Sequence, residues 1–223
     1  MKKKLISQAL GKYLAGLIMV MLLLFVPAGT LNYPNGWLFI GLLFIPMLFL
    51  GAALLIKAPE LLEKRLRSKE TQGEQKKVVG FSALMFLSGF VLCGLDYRLG
   101  WSNMSAAISM AASVLLLLSY GMYAEVMREN AYLSRTVEVQ ADQKVIDTGL
   151  YGIVRHPMYF STVLLFLSIP LVLGSWIGFA LFFVYPLLLR KRINAEEKLL
   201  KDQLPGYIEY TKKVRWRMLP FIY

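Results

Sequence analysis

One histidine, His156, and one cysteine, Cys93, are all that the 223 residues hold of the two residue types behind most metal centres and every disulfide. No disulfide can close within the chain, so a stapled secreted domain is excluded, and no metal is expected. Charge is the second scarcity. Charged residues make up 17% of the chain and are missing altogether from residues 13–56, 78–95, 99–124 and 158–189. Roughly 20 apolar residues suffice to cross a bilayer. Hydrophobic residues reach 57%, with a mean hydropathy of +0.54, which excludes an ordinary soluble domain. A chain inside lipid must pair its own backbone groups, and windows this long without period-2 alternation do so as helices. Fixed-period repeats, low-complexity tracts and a soluble second domain are also missing. The start, MKKKLISQALGKYLAGLIMVMLLLFVPAG, has the basic front of a signal peptide. Its apolar part is long and no small-x-small site follows, so it reads as a first span that is not cleaved.

Acidic residues are few as well, 14 against 25 Lys and Arg, for a net charge of +11. In a soluble protein that balance would suggest nucleic acid. Here the basic residues fall in four clusters, residues 1–12, 57–77, 125–157 and 190–223, with Arg98 alone elsewhere. No folded domain organises them for nucleic acid, so none is expected. The connection PAGTLNYPNGW is uncharged, and DYRLGWSN carries only Asp96 and Arg98. The positive-inside rule puts the four clusters, and both termini, on the cytoplasmic side and the two short turns on the other. Anionic headgroups are the plain partner of the basic surplus.

Parity then shapes the last window. Residues 13–56 make two spans turning at NYPNG, and 78–95 and 99–124 make spans three and four. Residues 158–189 as one helix would measure about 48 Å, against a hydrocarbon core of about 30 Å. A single crossing would also leave the basic tail outside. A hairpin bent at Pro170 and Gly174–Ser175–Trp176, with arms of about 16 and 14 residues, resolves both difficulties. Pro27, Pro46 and Pro186 also sit in or at the ends of apolar helices, where neighbouring helices can satisfy freed carbonyls.

The mouth of that hairpin is GLYGIVRHPMYF, residues 149–160. Pro157 suits the first position of a helix, whose free N–H groups and positive dipole end would face the cytoplasmic interface. Arg155 and His156 directly before it complete an anion site. The competing reading makes Arg155 a snorkelling anchor and His156 a helix cap. The returning arm emerges as RKRINAEEKLLKDQLPGYIEYTKKVRW, bringing residues 190–197 beside 151–159. Arg192 and Glu196 stand at i and i+4 on one helix face, whereas Glu196 and Glu197 diverge by about 100°, so only one should face the mouth. The competing reading is a solvated helix with a weak Arg–Glu pair.

Arginine, histidine, a helix N-terminus, carboxylate and aromatic rings together suit S-adenosylmethionine, which offers a carboxylate, an amine, a ribose diol, adenine and a sulfonium. Tyr151, Tyr159, Tyr207 and Tyr210 could supply the rings, or could form an interfacial belt. GLYGIVRHPMY, the charge-free hairpin, then R-x-x-x-EE, Y-x-x-Y and a near-terminal Pro resemble the cofactor-binding half of the isoprenylcysteine carboxyl methyltransferase family, related to the membrane phospholipid methyltransferases. The likeness runs over residues 130–220; the earlier spans match only in being hydrophobic. It implies cofactor contacts at Gln140, Val145, Ile146, Tyr151, His156, Pro157, Met158, Tyr159 and Glu196, and places Arg192 at the acceptor end of the substrate. Arg155 and Glu197 join the cofactor set from their place at the mouth. Two departures stand out: Ser161 where glycine is frequent, and QLPGY in place of an aromatic–Gly pair.

The expected architecture is all-α, a polytopic membrane bundle of four spans plus a C-terminal helical hairpin, with cytoplasmic loop and tail forming the cofactor site. Residues 1–124 hold the four spans and 125–223 the loop, hairpin and C-terminal helix. The expected activity is S-adenosylmethionine-dependent methylation of a lipophilic or lipidated substrate drawn from the membrane. A carboxylate acceptor is already ionised and needs no base, only orientation by Arg192. An amine acceptor would need Glu197 or His156 to take a proton. The alternatives are phospholipid or amine N-methylation, and a non-catalytic protein binding or carrying a small anion or anionic lipid. The last lacks its usual marker, an ionisable residue within the spans.

Overall fold

The computed structural model describes residues 2–66, 73–133 and 139–223, with side chains except at 2 and 73–75. Arg67, Lys69 and Arg135 of the basic clusters lie outside the described residues. Everything regular among the described residues is helical. Four helices are long and apolar enough to cross a membrane: α1 (Lys2–Ala28), α2 (Pro34–Lys57), α4 (Gly73–Leu99) and α5 (Ala106–Glu129). Each has at least 24 residues, or about 36 Å at 1.5 Å per residue. A short helix, α3 (Pro59–Leu66), follows α2. After a single 3₁₀ turn (Gly149–Gly152) come α6 (Pro157–Leu173), α7 (Trp176–Phe182), α8 (Tyr185–Gln203) and α9 (Tyr207–Lys213). The chain is a multi-pass membrane bundle, as its charge-free windows require. Exposed Leu22, Val26, Phe49, Phe81 and Leu118 give it an apolar outer surface fit for lipid.

The first turn differs from expectation in register. Gly29, at φ +69°, ends α1, and Pro34 starts α2 instead of forming the apex. Proline has no N–H to lose at a first helical position, and there its fixed φ is already helical. Between them Tyr33 is fully buried, donates to the Leu173 carbonyl at 2.7 Å and stacks on Tyr97 at 4.0 Å. The turn is thereby tied to the far end of α6. Near Pro46, the Leu43 and Phe44 carbonyls accept from Tyr120 at 2.7 Å and Tyr13 at 3.1 Å, which ties α2 to α5 and α1.

The hairpin forms, with two corrections. Pro170 lies inside α6, which continues to Leu173; the reversal falls at Gly174, whose φ of +84° suits glycine, and Ser175 caps α7 by accepting from the Gly178 N–H at 2.9 Å. The returning arm is broken at Phe183–Val184 into α7 and α8. Pro186 cannot donate to the carbonyl four residues back, so the helix restarts.

A buried carboxylate locks this end of the bundle. Asp96 is 2% exposed; its Oδ1 accepts from the Ser102 N–H at 2.7 Å and its Oδ2 from Ser102 Oγ at 2.6 Å and from Ser175 Oγ. Ser102 Oγ in turn accepts from the Trp176 N–H at 2.9 Å. The α4–α5 and α6–α7 turns are therefore one unit. Asp96→Ala should lower stability in detergent by about 2 kcal/mol, because it leaves buried donors unpaired. Thermal unfolding of purified variant and wild type checks this, with Asp96→Asn expected to lose less.

Candidate active site

At the opposite end, where the basic clusters gather, α6 begins and α8 leaves. Pro157 is the first residue of α6, as the sequence predicts. His156 precedes it without capping it; its ring, 4% exposed, turns instead toward α8. Arg155 does not snorkel to headgroups. Its side chain is 6% exposed and donates to Glu197 from Nε at 2.7 Å and from Nη2 at 3.3 Å. Its Nη1 donates to the carbonyls of Val214 at 2.7 Å and Arg215 at 2.9 Å. The guanidinium is thus shared between a carboxylate and the tail, and that tail also pairs with the loop backbone. Arg155 N–H donates to the Trp216 carbonyl at 2.9 Å and His156 N–H to the Arg217 carbonyl at 2.7 Å.

Both glutamates face the mouth, contrary to the expectation from helix geometry alone. Glu197 Oε1 lies 3.0 Å from His156 Nε2, and Glu196 Oε1 lies 3.9 Å from His156 Nδ1. Adjacent residues on α8 do diverge, but the imidazole is inserted between them and each carboxylate takes one edge of the ring. On the far side, Tyr159 donates to Glu196 Oε2 at 2.5 Å and accepts from Arg192 Nε at 3.0 Å. Arg192 and Glu196 therefore meet through Tyr159. The result is a chain of polar groups across the hairpin mouth, Arg155–Glu197–His156 and then Glu196–Tyr159–Arg192, at the end of an apolar core.

Burial alone would raise the Glu197 carboxyl, but the hydrogen bonds it accepts from His156 and Arg155, with the Arg155 charge, hold it well below the usual carboxylate range. Burial, then the Glu197 charge, pushes the Tyr207 hydroxyl up, so it remains a donor, giving its hydrogen to Glu197 Oε1 at 3.1 Å. Tyr210 is raised mainly by burial and donates to the Tyr151 carbonyl at 2.7 Å. Tyr207 and Tyr210 are 4% and 5% exposed, packed with Leu200, Leu204 and Val214, and so form no interfacial belt. The QLPGY departure becomes a turn: Gly206, at φ +83°, swings α9 back so that Tyr207 reaches Glu197. Ser161 is absorbed too, donating to the Met158 carbonyl at 2.8 Å.

The remaining expected residues line the loop before α6, apart from Met158 in the first turn of α6. Tyr151 is buried and accepts from Asn130 Nδ2 at 3.0 Å. Val145 packs against the Tyr207–Tyr210 cluster, and Ile146 and Met158 are half-buried. Gln140 Oε1 accepts from Lys64 Nζ at 2.7 Å, while its amide donates to the Tyr132 carbonyl. The sequence reading missed α3: Lys64 holds Gln140, and Arg65 both donates to Tyr123 and lies 5.4 Å over its ring. In sequence these two are ordinary members of a basic cluster. Asn130 and Glu129, which accepts from Thr148, were missed for the same reason, since only folding places them at the loop.

The fold is a polytopic membrane bundle similar to that of a solved membrane methyltransferase, in line with the resemblance drawn from the hairpin motifs. Residues 103–204 match the family model for phospholipid methyltransferase, so the match begins in the turn just before α5, earlier than the motifs alone suggested, and ends before α9. The fold is shared with the eukaryotic intramembrane Ras methyltransferase ICMT, isoprenylcysteine carboxyl methyltransferase, at a TM-score of 0.59 and 18% identity, covering 96% of this chain and 77% of that one. A curated relative, the Delta(14)-sterol reductase of Methylotuvimicrobium alcaliphilum, is 28% identical over 93 residues, which is 40% of this chain but 22% of the reductase.

Proposed function

We propose that this chain is an S-adenosylmethionine-dependent membrane methyltransferase whose acceptor is a lipophilic carboxylic acid. The observation that carries the proposal is the polar chain from Glu197 to Arg192, set at the mouth of an apolar hairpin. Its donor set suits the cofactor. Glu196, with a half-buried side chain beside His156, can take an ammonium, and Gln140, Val145, Ile146, Tyr151, Pro157, Met158 and Tyr159 would surround the rest. When bound, the cofactor supplies an electrophilic methyl group that an ionised carboxylate oxygen accepts without a base.

The protein's part is then positioning and exclusion of water. Arg192, anchored through Nε on Tyr159, orients the acceptor carboxylate by a charged hydrogen bond. The apolar flanks of α6 and α8 admit a lipid-soluble tail from the bilayer, while the basic end, with both termini, faces the cytoplasm and the cofactor. The shared fold with a carboxyl methyltransferase supports a carboxylate acceptor; the family match over residues 103–204 supports methyl transfer in a membrane without fixing the acceptor. Membranes containing the protein, incubated with methyl-labelled cofactor, are expected to release the label on mild base treatment, as an ester does. Base-stable label would point to an amine acceptor instead, and no transfer at all would reject the enzyme.

A further inference from the structure

Arg155 and Glu197 stand among the expected cofactor contacts, yet their polar atoms are turned toward the protein itself. Glu197 Oε1 alone has three neighbours at hydrogen-bond distance: Arg155 Nε at 2.7 Å, His156 Nε2 at 3.0 Å and the Tyr207 hydroxyl at 3.1 Å. Lys201 approaches Oε2 at 3.7 Å. An ionised carboxylate only accepts hydrogen bonds, so the imidazole nitrogen facing it must be the one that carries hydrogen. The other ring nitrogen, Nδ1, faces Glu196 Oε1 at 3.9 Å, too far for a hydrogen bond.

We infer that Glu197 is a positioning residue, not a cofactor ligand: held by Arg155 and Tyr207, it fixes His156 as the Nε2–H tautomer and turns Nδ1, as an acceptor, toward the mouth. Beside Glu196, Nδ1 then receives an N–H or O–H donor of the bound cofactor. The inference rests on the cofactor reading above for that last contact and on geometry alone for the tautomer. The tail is what keeps Glu197 in place, through Tyr207 and through the Val214 and Arg215 carbonyls on Arg155.

Because His156 is the only histidine, ¹⁵N-histidine-labelled protein in micelles gives the signals of one ring. At mildly alkaline pH without ligand, the wild type should show hydrogen on Nε2 and none on Nδ1. Hydrogen on Nδ1, or on both nitrogens, would overturn the inference. In Glu197→Gln, whose amide can donate as well as accept, the single tautomer should be lost; an unchanged spectrum would also overturn it. Added S-adenosylhomocysteine should shift Nδ1 far more than Nε2 and bind Glu197→Gln about tenfold more weakly, equivalent to about 1.4 kcal/mol. Binding that leaves Nδ1 unmoved rejects its contact with the cofactor. If S-adenosylhomocysteine does not bind the wild type, the cofactor reading fails and takes that contact with it, whereas the tautomer has already been decided by the ligand-free spectrum.

Discussion

Arg155→Ala should unfold the mouth of the hairpin, at a cost of about 3–5 kcal/mol, the usual consequence of stranding one member of a buried ion pair. Both side chains are nearly inaccessible, at 6% and 4% exposure, so water cannot replace the guanidinium at Glu197. The same change removes the donor shared by the Val214 and Arg215 carbonyls, so the tail should loosen with it. Denaturant titration in detergent measures the loss, and limited proteolysis near Lys212 and Lys213 should show earlier cleavage. Glu197→Gln adds a pH signature. The Glu197 carboxyl titrates below its ordinary value of 4.5, so the folded state prefers the ionised form and gains stability from it above that pH. The advantage of wild type over Glu197→Gln should therefore be full above about pH 4.5 and shrink as pH falls through the lowered folded-state value. A gap that widens on acidification would contradict the pairing.

The second large effect concerns Arg192. Arg192→Lys should lower kcat/KM for a carboxylate acceptor by about 100-fold, comparable to removing one preorganised donor from an active site. Lysine keeps the charge but lacks the planar guanidinium that donates to Tyr159 through Nε and matches the geometry of a carboxylate. Affinity for S-adenosylhomocysteine should stay close to that of the wild type, since Glu196 and His156 remain. A loss of cofactor affinity matching the loss of rate would move Arg192 from the acceptor end to the cofactor. Single-turnover rates and equilibrium binding on the same preparation separate the two.

Much of this organisation is legible in the chain. Absence of charge over residues 13–56, 78–95 and 99–124 marks the first four spans, and the basic tail after Tyr185 forces the last window to return. Pro157 as a helix start follows from the missing N–H, and the encounter of residues 151–159 with 192–197 follows from a hairpin. What could not be read depends on docking across the chain. Nothing local says that Arg155 is consumed by the carbonyls of Val214 and Arg215, because those partners arrive 59 and 60 residues later. The 100° between Glu196 and Glu197 is correct for a helix, yet it misleads once His156 wedges between them. Of the two bend signals in the window, Gly174, with positive φ, takes the reversal, while Pro170 stays inside α6 because a proline can be carried within an apolar helix. The contacts of Lys64 with Gln140 and of Arg65 with Tyr123 lie hidden in a charge cluster that positive-inside statistics explain equally well.

The central claim is that the mouth formed by α6 and α8 holds S-adenosylmethionine. Calorimetric titration of purified protein with S-adenosylhomocysteine, on wild type and on the His156→Ala, Glu196→Ala double variant, tests it most directly. Saturable one-site binding by the wild type that disappears in a folded double variant is the predicted result. No binding by the wild type, or equal binding by both, would contradict it.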